Sequence, residues 1–136
     1  MELQLEKLMS ALKVYTHNVQ VIHRSLTGDG FFADHEVMCE YYKELQLMTD
    51  DVIEIASSFG FKEPSLEVAL IDHESLSGFD VKNYEAFVHI QRIFQKLITI
   101  FDEVKEFLPD DVISKFEEYQ YWLRKEANYK IAQRLK

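Results

Sequence analysis

The sequence predicts an all-α protein, a four-helix bundle in which a long crossover carrying one short helix joins the second and third helices. Three observations carry this expectation. Apolar residues recur at steps of three and four over four long stretches. No run alternates apolar and polar residues in the way a strand would. The 136 residues hold only two prolines and four glycines, all at or between the ends of those stretches. With 47% apolar residues, the chain suits one compact domain over residues 1–136 and leaves no second core.

The first helix is expected over residues 3 to about 26, where Leu5, Leu8, Leu12, Tyr15, Val19, Ile22 and Leu26 form one amphipathic stripe. Thr27, Gly28, Asp29 and Gly30 then stop the helix and turn the chain. A second helix follows from about Phe32 to Phe59, with Asp34 and Glu36 favourable near its positive end. Its apolar set, which includes Val37, Met38, Leu45, Met48, Val52, Ile53, Ala56 and Phe59, is broader than one stripe. Such breadth is expected of a helix that packs in its own bundle on one side and against a partner on another. From Gly60 to Asp80 the pattern weakens around Pro64 and Gly78, leaving a short helical run near Ser65–Glu74. This length serves as a crossover. The third helix is read over Val81–Phe107 and the fourth from Pro109 or Asp110 to about Gln133, through Val112, Phe116, Tyr119, Trp122, Leu123 and Tyr129.

The formal charge of −9 disfavours broad attraction to nucleic acid and suits a surface that gathers cations. No window reaches the apolar length of a membrane span, and the start MELQLEKL does not read as a secretory signal. A single cysteine, Cys39, forms no internal disulfide, which fits a reducing compartment. The cytoplasm is the expected location.

Chemistry concentrates between residues 23 and 54. His23 and His35 stand twelve residues apart, and Asp50 and Glu54 are one helical turn from each other. These nitrogen and oxygen donors are of the kind that iron, zinc or manganese accepts. On one straight helix, however, a rise of about 1.5 Å per residue puts His35 and Asp50 roughly 22 Å apart. A shared ion therefore needs the histidines of one chain and the carboxylates of another, across two antiparallel copies of the helix in a two-fold dimer. From spacing alone a plainer reading stands ahead of this one: histidines at a helix interface that hydrogen-bond a carboxylate. Asp51 competes with Asp50, but the turn to Glu54 favours Asp50. His17, His73 and His89 pair with no second donor at a useful spacing.

Over this stretch the sequence resembles the mini-ferritins, the Dps (DNA-protection-during-starvation) family. His23 and His35 fall on that family's two ferroxidase histidines, the second inside a Phe-x-x-x-His-Glu pattern read here as Phe31 to Glu36. Asp50 and Glu54 fall on its Asp-x-x-x-Glu pair, and Gly60 falls on the glycine that ends the second helix. The resemblance is close over about residues 8–60 and looser over 84–127. Two positions depart: Cys39 stands where the family has an aspartate, with Glu40 about 100° further round the helix, and Arg24 replaces an aromatic residue.

The resemblance implies a ferritin-like bundle, a metal site of His23, His35, Asp50 and Glu54 at a two-fold interface, and oxidation of ferrous iron by peroxide or oxygen. It further implies a homo-oligomeric shell of twelve subunits that stores ferric mineral. Glu106, Asp110 and Asp111 lie near the family's pore carboxylates, although such residues are more often ordinary helix-start charges. Cys39 puts a second iron in doubt and leaves zinc or manganese as alternative occupants. The competing reading is a non-catalytic ferritin-like metal-binding or interaction protein. Weak or absent DNA binding is expected, because the amino terminus is acidic and Lys125, Lys130, Arg134 and Lys136 are few.

Overall fold

The computed structural model describes residues 1–136 and contains the four long helices in the expected places. Helix α1 covers Glu2–Ser25, α2 Phe31–Ser58, α3 Leu66–Asp72, α4 Asn83–Lys105 and α5 Asp110–Lys125. The last helix continues through a π-helical turn, Glu126–Ile131, into a final turn α6, Ala132–Arg134. The short crossover helix is α3, and the fold is a ferritin-like bundle. No helix is long and apolar enough to cross a membrane.

The stripe of α1 is buried as its spacing requires, with Leu5, Leu8, Leu12, Val19 and Ile22 fully enclosed. It meets Met38, Leu45, Met48, Val52 and Ala56 of α2, and Ile90, Phe94, Leu97 and Phe101 of α4. Phe116 and Leu123 of α5 close the core. Tyr41 packs edge-on against Phe94 and Trp122, with ring centroids 5.2 and 5.8 Å away.

Glycine decides both ends of α2. Gly30 precedes the helix at φ +78°, and a Cβ there would stand 3.1 Å from Asn83 Nδ2 and 3.2 Å from Asp34 Oδ2. Beyond the other end Gly60 adopts φ +85°. Its N–H donates to Ser57 O at 2.9 Å, and the N–H of Phe61 donates to Ala56 O at 3.0 Å. This is the pairing of a Schellman cap, which uses the helix's last free carbonyls.

Two features were not expected from sequence. Leu26–Thr27 (β1) and Val81–Lys82 (β2) pair in parallel, Leu26 with Val81 and Thr27 with Lys82. Two residues are too few to show a period. The second feature is the π turn, which inserts an extra residue and rotates the remainder of the helix by about 100°. Ala127 and Ile131 lie in the core, whereas Tyr129, expected on the apolar face, is 61% exposed.

Glu126, the first residue of that turn, is buried. It accepts hydrogen bonds from Tyr41 Oη and Lys130 Nζ, both at 3.0 Å. Burial first, and Glu126 second, push the Tyr41 phenol well above its usual range. Nearby, Asp34 accepts from Asn83 Nδ2 and from Arg134, each at 2.9 Å. Asp34, Tyr41, Glu126, Lys130 and Arg134 line a cleft of about 590 Å³ between α2 and the last helix. Its buried carboxylates are satisfied within the chain, as buried charge requires.

Candidate metal centre

His23, near the end of α1, and His35, one turn into α2, are brought together by the short β1 turn. Their ring centroids lie 4.9 Å apart. His35 also lies 5.0 Å from the ring of Phe31, and His23 stacks on Tyr42 at 6.1 Å and 16°. Tyr42 and His35 are seven residues apart on α2, two turns along one side, so a single α1 ring meets both. That spacing is the signal by which Tyr42 is recognisable as a wall of this site.

His23 is 8% exposed, and its Nδ1 has no hydrogen-bond partner. Burial lowers its pKa, a backbone contact with Gln20 opposes the shift, and the neighbouring His35 and Arg24 add to it. The neutral ring, the form that binds metals, is therefore the form the fold favours. A histidine whose folded pKa is depressed contributes stability that is present above its unfolded pKa, about 6.5, and lost as pH falls through the folded value. Metal-free protein should thus lose thermal stability as pH is lowered from 7.5 past 6, and the His23→Gln variant should show a shallower loss. Equal slopes in the two proteins would contradict this account of His23.

The remaining residues lie elsewhere. Helix α2 is unbroken from Phe31 to Ser58, so the separation of His35 and Asp50 by about 22 Å stands. Asp50 and Glu54 are both exposed. Neither joins any of the ion pairs in the chain. Asp51 points toward α5 and accepts a hydrogen bond from Tyr119 Oη. Burial and that carboxylate push the Tyr119 phenol upward. Of the two adjacent aspartates, Asp50 is the one left free. Cys39 is half-buried and forms no disulfide within the chain. Within a single chain, no group of three or more His, Cys, Asp or Glu side chains is arranged to hold a metal ion.

The outward side of α2 also bears exposed apolar residues: Phe32 is 88% and Leu47 63% exposed. Crossover helix α3 exposes Leu66 and Ile71.

No protein-family profile matches the chain, and no curated protein matches it in sequence. Solved structures do. Antigen TpF1 from Treponema pallidum superposes with a TM-score of 0.90 at 21% identity, over 98% of this chain and 89% of that one. Helicobacter cinaedi CAIP gives 0.88 at 18% identity, over 98% and 97%. Dps from Staphylococcus aureus gives 0.71 at 19% identity, over 98% and 93%. The chain is thus an all-α protein of the ferritin-like class. Its particular fold is that of the Dps proteins.

Proposed function

We propose that the protein oxidises ferrous iron and stores the ferric product inside a homo-oligomeric shell, with each oxidation site shared by two subunits. The observation that carries this reading is the division of donors on α2. His23 and His35 converge at one end of the helix, while Asp50 and Glu54 stand free and exposed at the other. Two antiparallel copies of α2 would bring the complementary halves together twice, as a closed two-fold contact does. The exposed Phe32 and Leu47 give that contact apolar area. The Dps fold supports a dodecamer as the closed assembly and the cytoplasm as its location.

Iron enters this scheme as substrate. The two imidazoles fix a ferrous ion, while the carboxylates of Asp50 and Glu54 tolerate the harder ferric product. Peroxide takes two electrons from two ferrous ions and, with two protons, leaves as water. Oxygen is the alternative oxidant. The proposed assignment is tested by anaerobic Fe(II) titration followed by peroxide, together with the mass of the particle by light scattering. Saturable Fe(II) binding, peroxide-dependent Fe(III) formation and a mass near twelve subunits are expected. A monomer or an isolated dimer would sink the storage reading.

Cys39 favours a second reading, a non-catalytic ferritin-like protein that binds zinc or manganese, because a thiol stands where an additional oxygen ligand would serve a second ion. The variant Cys39→Asp separates the two. It should keep Fe(II) binding and raise the stoichiometry toward two ions per site, as read by titration. A variant that binds no more iron than the wild type removes Cys39 as the limit.

Weak or absent duplex binding is also proposed, on the strength of the net charge of −9. Plasmid DNA should migrate unretarded with the intact particle at about 0.15 M salt. Retardation there would contradict it.

A further inference from the structure

A histidine that binds a metal is ordinarily held by a hydrogen bond from its other ring nitrogen to a carboxylate or carbonyl, which fixes the plane of the ring. Neither imidazole on α1 and α2 has such a bond. The histidine side chains that form hydrogen bonds are His17 and His73 alone. Nδ1 of His23 is enclosed without a partner, and its contact with the Gln20 backbone falls short of hydrogen-bond geometry. The torsion between Cβ and an imidazole is soft, with a broad and roughly two-fold profile. The plane of His23 is therefore set by what the ring packs against.

Four rings form a row across the contact of α1 with α2. Phe31 lies 5.0 Å from His35 at 32°, His35 lies 4.9 Å from His23 at 47°, and His23 lies 6.1 Å from Tyr42 at 16°. The last pair is nearly parallel. A quarter turn of His23 about its Cβ–Cγ bond would give up this face contact, and at 8% exposure the residue has little room for another orientation. Tyr42 is itself anchored, because it sits within the unbroken α2 and packs against the core. The tyrosine hydroxyls that bond within the chain are those of Tyr15, Tyr41 and Tyr119. The hydroxyl of Tyr42 thus holds nothing, and the face of its ring is what the residue contributes.

Given the iron site proposed above, on which the inference rests, we propose that Tyr42 is its positioning residue: the ring face of Tyr42 holds the plane of His23 in place of the hydrogen bond this imidazole lacks. Because Nδ1 is enclosed, Nε2 is the nitrogen left to bind the ferrous ion. Its lone pair lies in the ring plane, so the plane of the imidazole decides where that lone pair is aimed. Tyr42 acts through His23 and takes no part in the oxidation.

Fe(II) is titrated anaerobically into the intact wild type and into the Tyr42→Leu and Tyr42→Phe proteins, and the metal-free form of each is crystallised. Tyr42→Leu should bind Fe(II) more weakly by roughly 2- to 12-fold, the range that an aromatic pair contributes. Its His23 ring should be rotated or split between planes. Tyr42→Phe keeps the ring face and drops the hydroxyl, so it should restore both the wild-type affinity and the wild-type plane. Circular dichroism checks that each variant folds. Equal affinity in wild type and Tyr42→Leu overturns the positioning role and leaves the iron site standing. Weaker binding with the His23 plane unchanged overturns it too. A loss in Tyr42→Phe as large as in Tyr42→Leu does the same, because the hydroxyl would then carry the effect, and this arm decides the matter even where the leucine variant fails to fold. A wild type that binds no Fe(II) removes the iron site and the positioning role together.

Discussion

Replacing Asp50 and Glu54 together by alanine should abolish Fe(II) binding and peroxide-dependent Fe(III) formation while leaving the helices intact. Both side chains are exposed and free of ion pairs. Surface changes of this kind alter stability by about 0.5 kcal/mol or less, so lost activity would not report unfolding. The loss should exceed the roughly 10- to 100-fold cost of removing an outer partner of a metal ligand, because the carboxylates are proposed to touch the ion. The sharper experiment mixes this variant with the His23→Ala/His35→Ala variant and reassembles the two. If each site takes histidines from one chain and carboxylates from another, random pairing restores on the order of one quarter of the sites. A mixture as inactive as its components, after mass analysis has shown that mixed particles form, would refute the shared site.

Phe94→Ala should give the largest loss of stability. Phe94 is fully buried in α4 and packs on Tyr41 and on Trp122, with ring centroids 5.2 and 5.5 Å away. It therefore joins α2, α4 and α5 at one point. Truncation removes its apolar contacts and leaves a cavity that three helices can only partly close, which costs about 3–5 kcal/mol. Against a total of about 5–15 kcal/mol, this threatens folding. Thermal unfolding at one protein concentration should show a midpoint lower by roughly 10 °C or more, the fixed concentration being needed because assembly shifts apparent stability. A loss below about 1 kcal/mol would mean that the three helices do not depend on this ring.

Much of the architecture is written in local sequence. Steps of three and four place Leu5, Leu8 and Leu12 on one side of α1 whatever that side meets, because the period belongs to the helix itself. Gly30 and Gly60 mark the ends of α2 because only glycine adopts their backbone conformations without strain. The distance between His35 and Asp50 follows from helical rise alone, and so does the impossibility of their meeting within one chain.

The features that stayed hidden depend on residues far apart in the chain. The turn to Glu54 favours Asp50 over Asp51 in sequence, but the partner that holds Asp51 is Tyr119, 68 residues further along the chain. Nothing local distinguishes Glu126 from other charges of the last helix, and the packing of that helix on α2 places it against Tyr41, 85 residues away. His73 and Arg92, far apart in the chain, line one groove beside the crossover that Asn18 holds to α1. Helical period, capping and rise act within a few residues, and so the sequence by itself determined the bundle, its turns and the division of the donors along α2. Which polar group finds a partner is settled by packing between helices, and that only the tertiary structure decided.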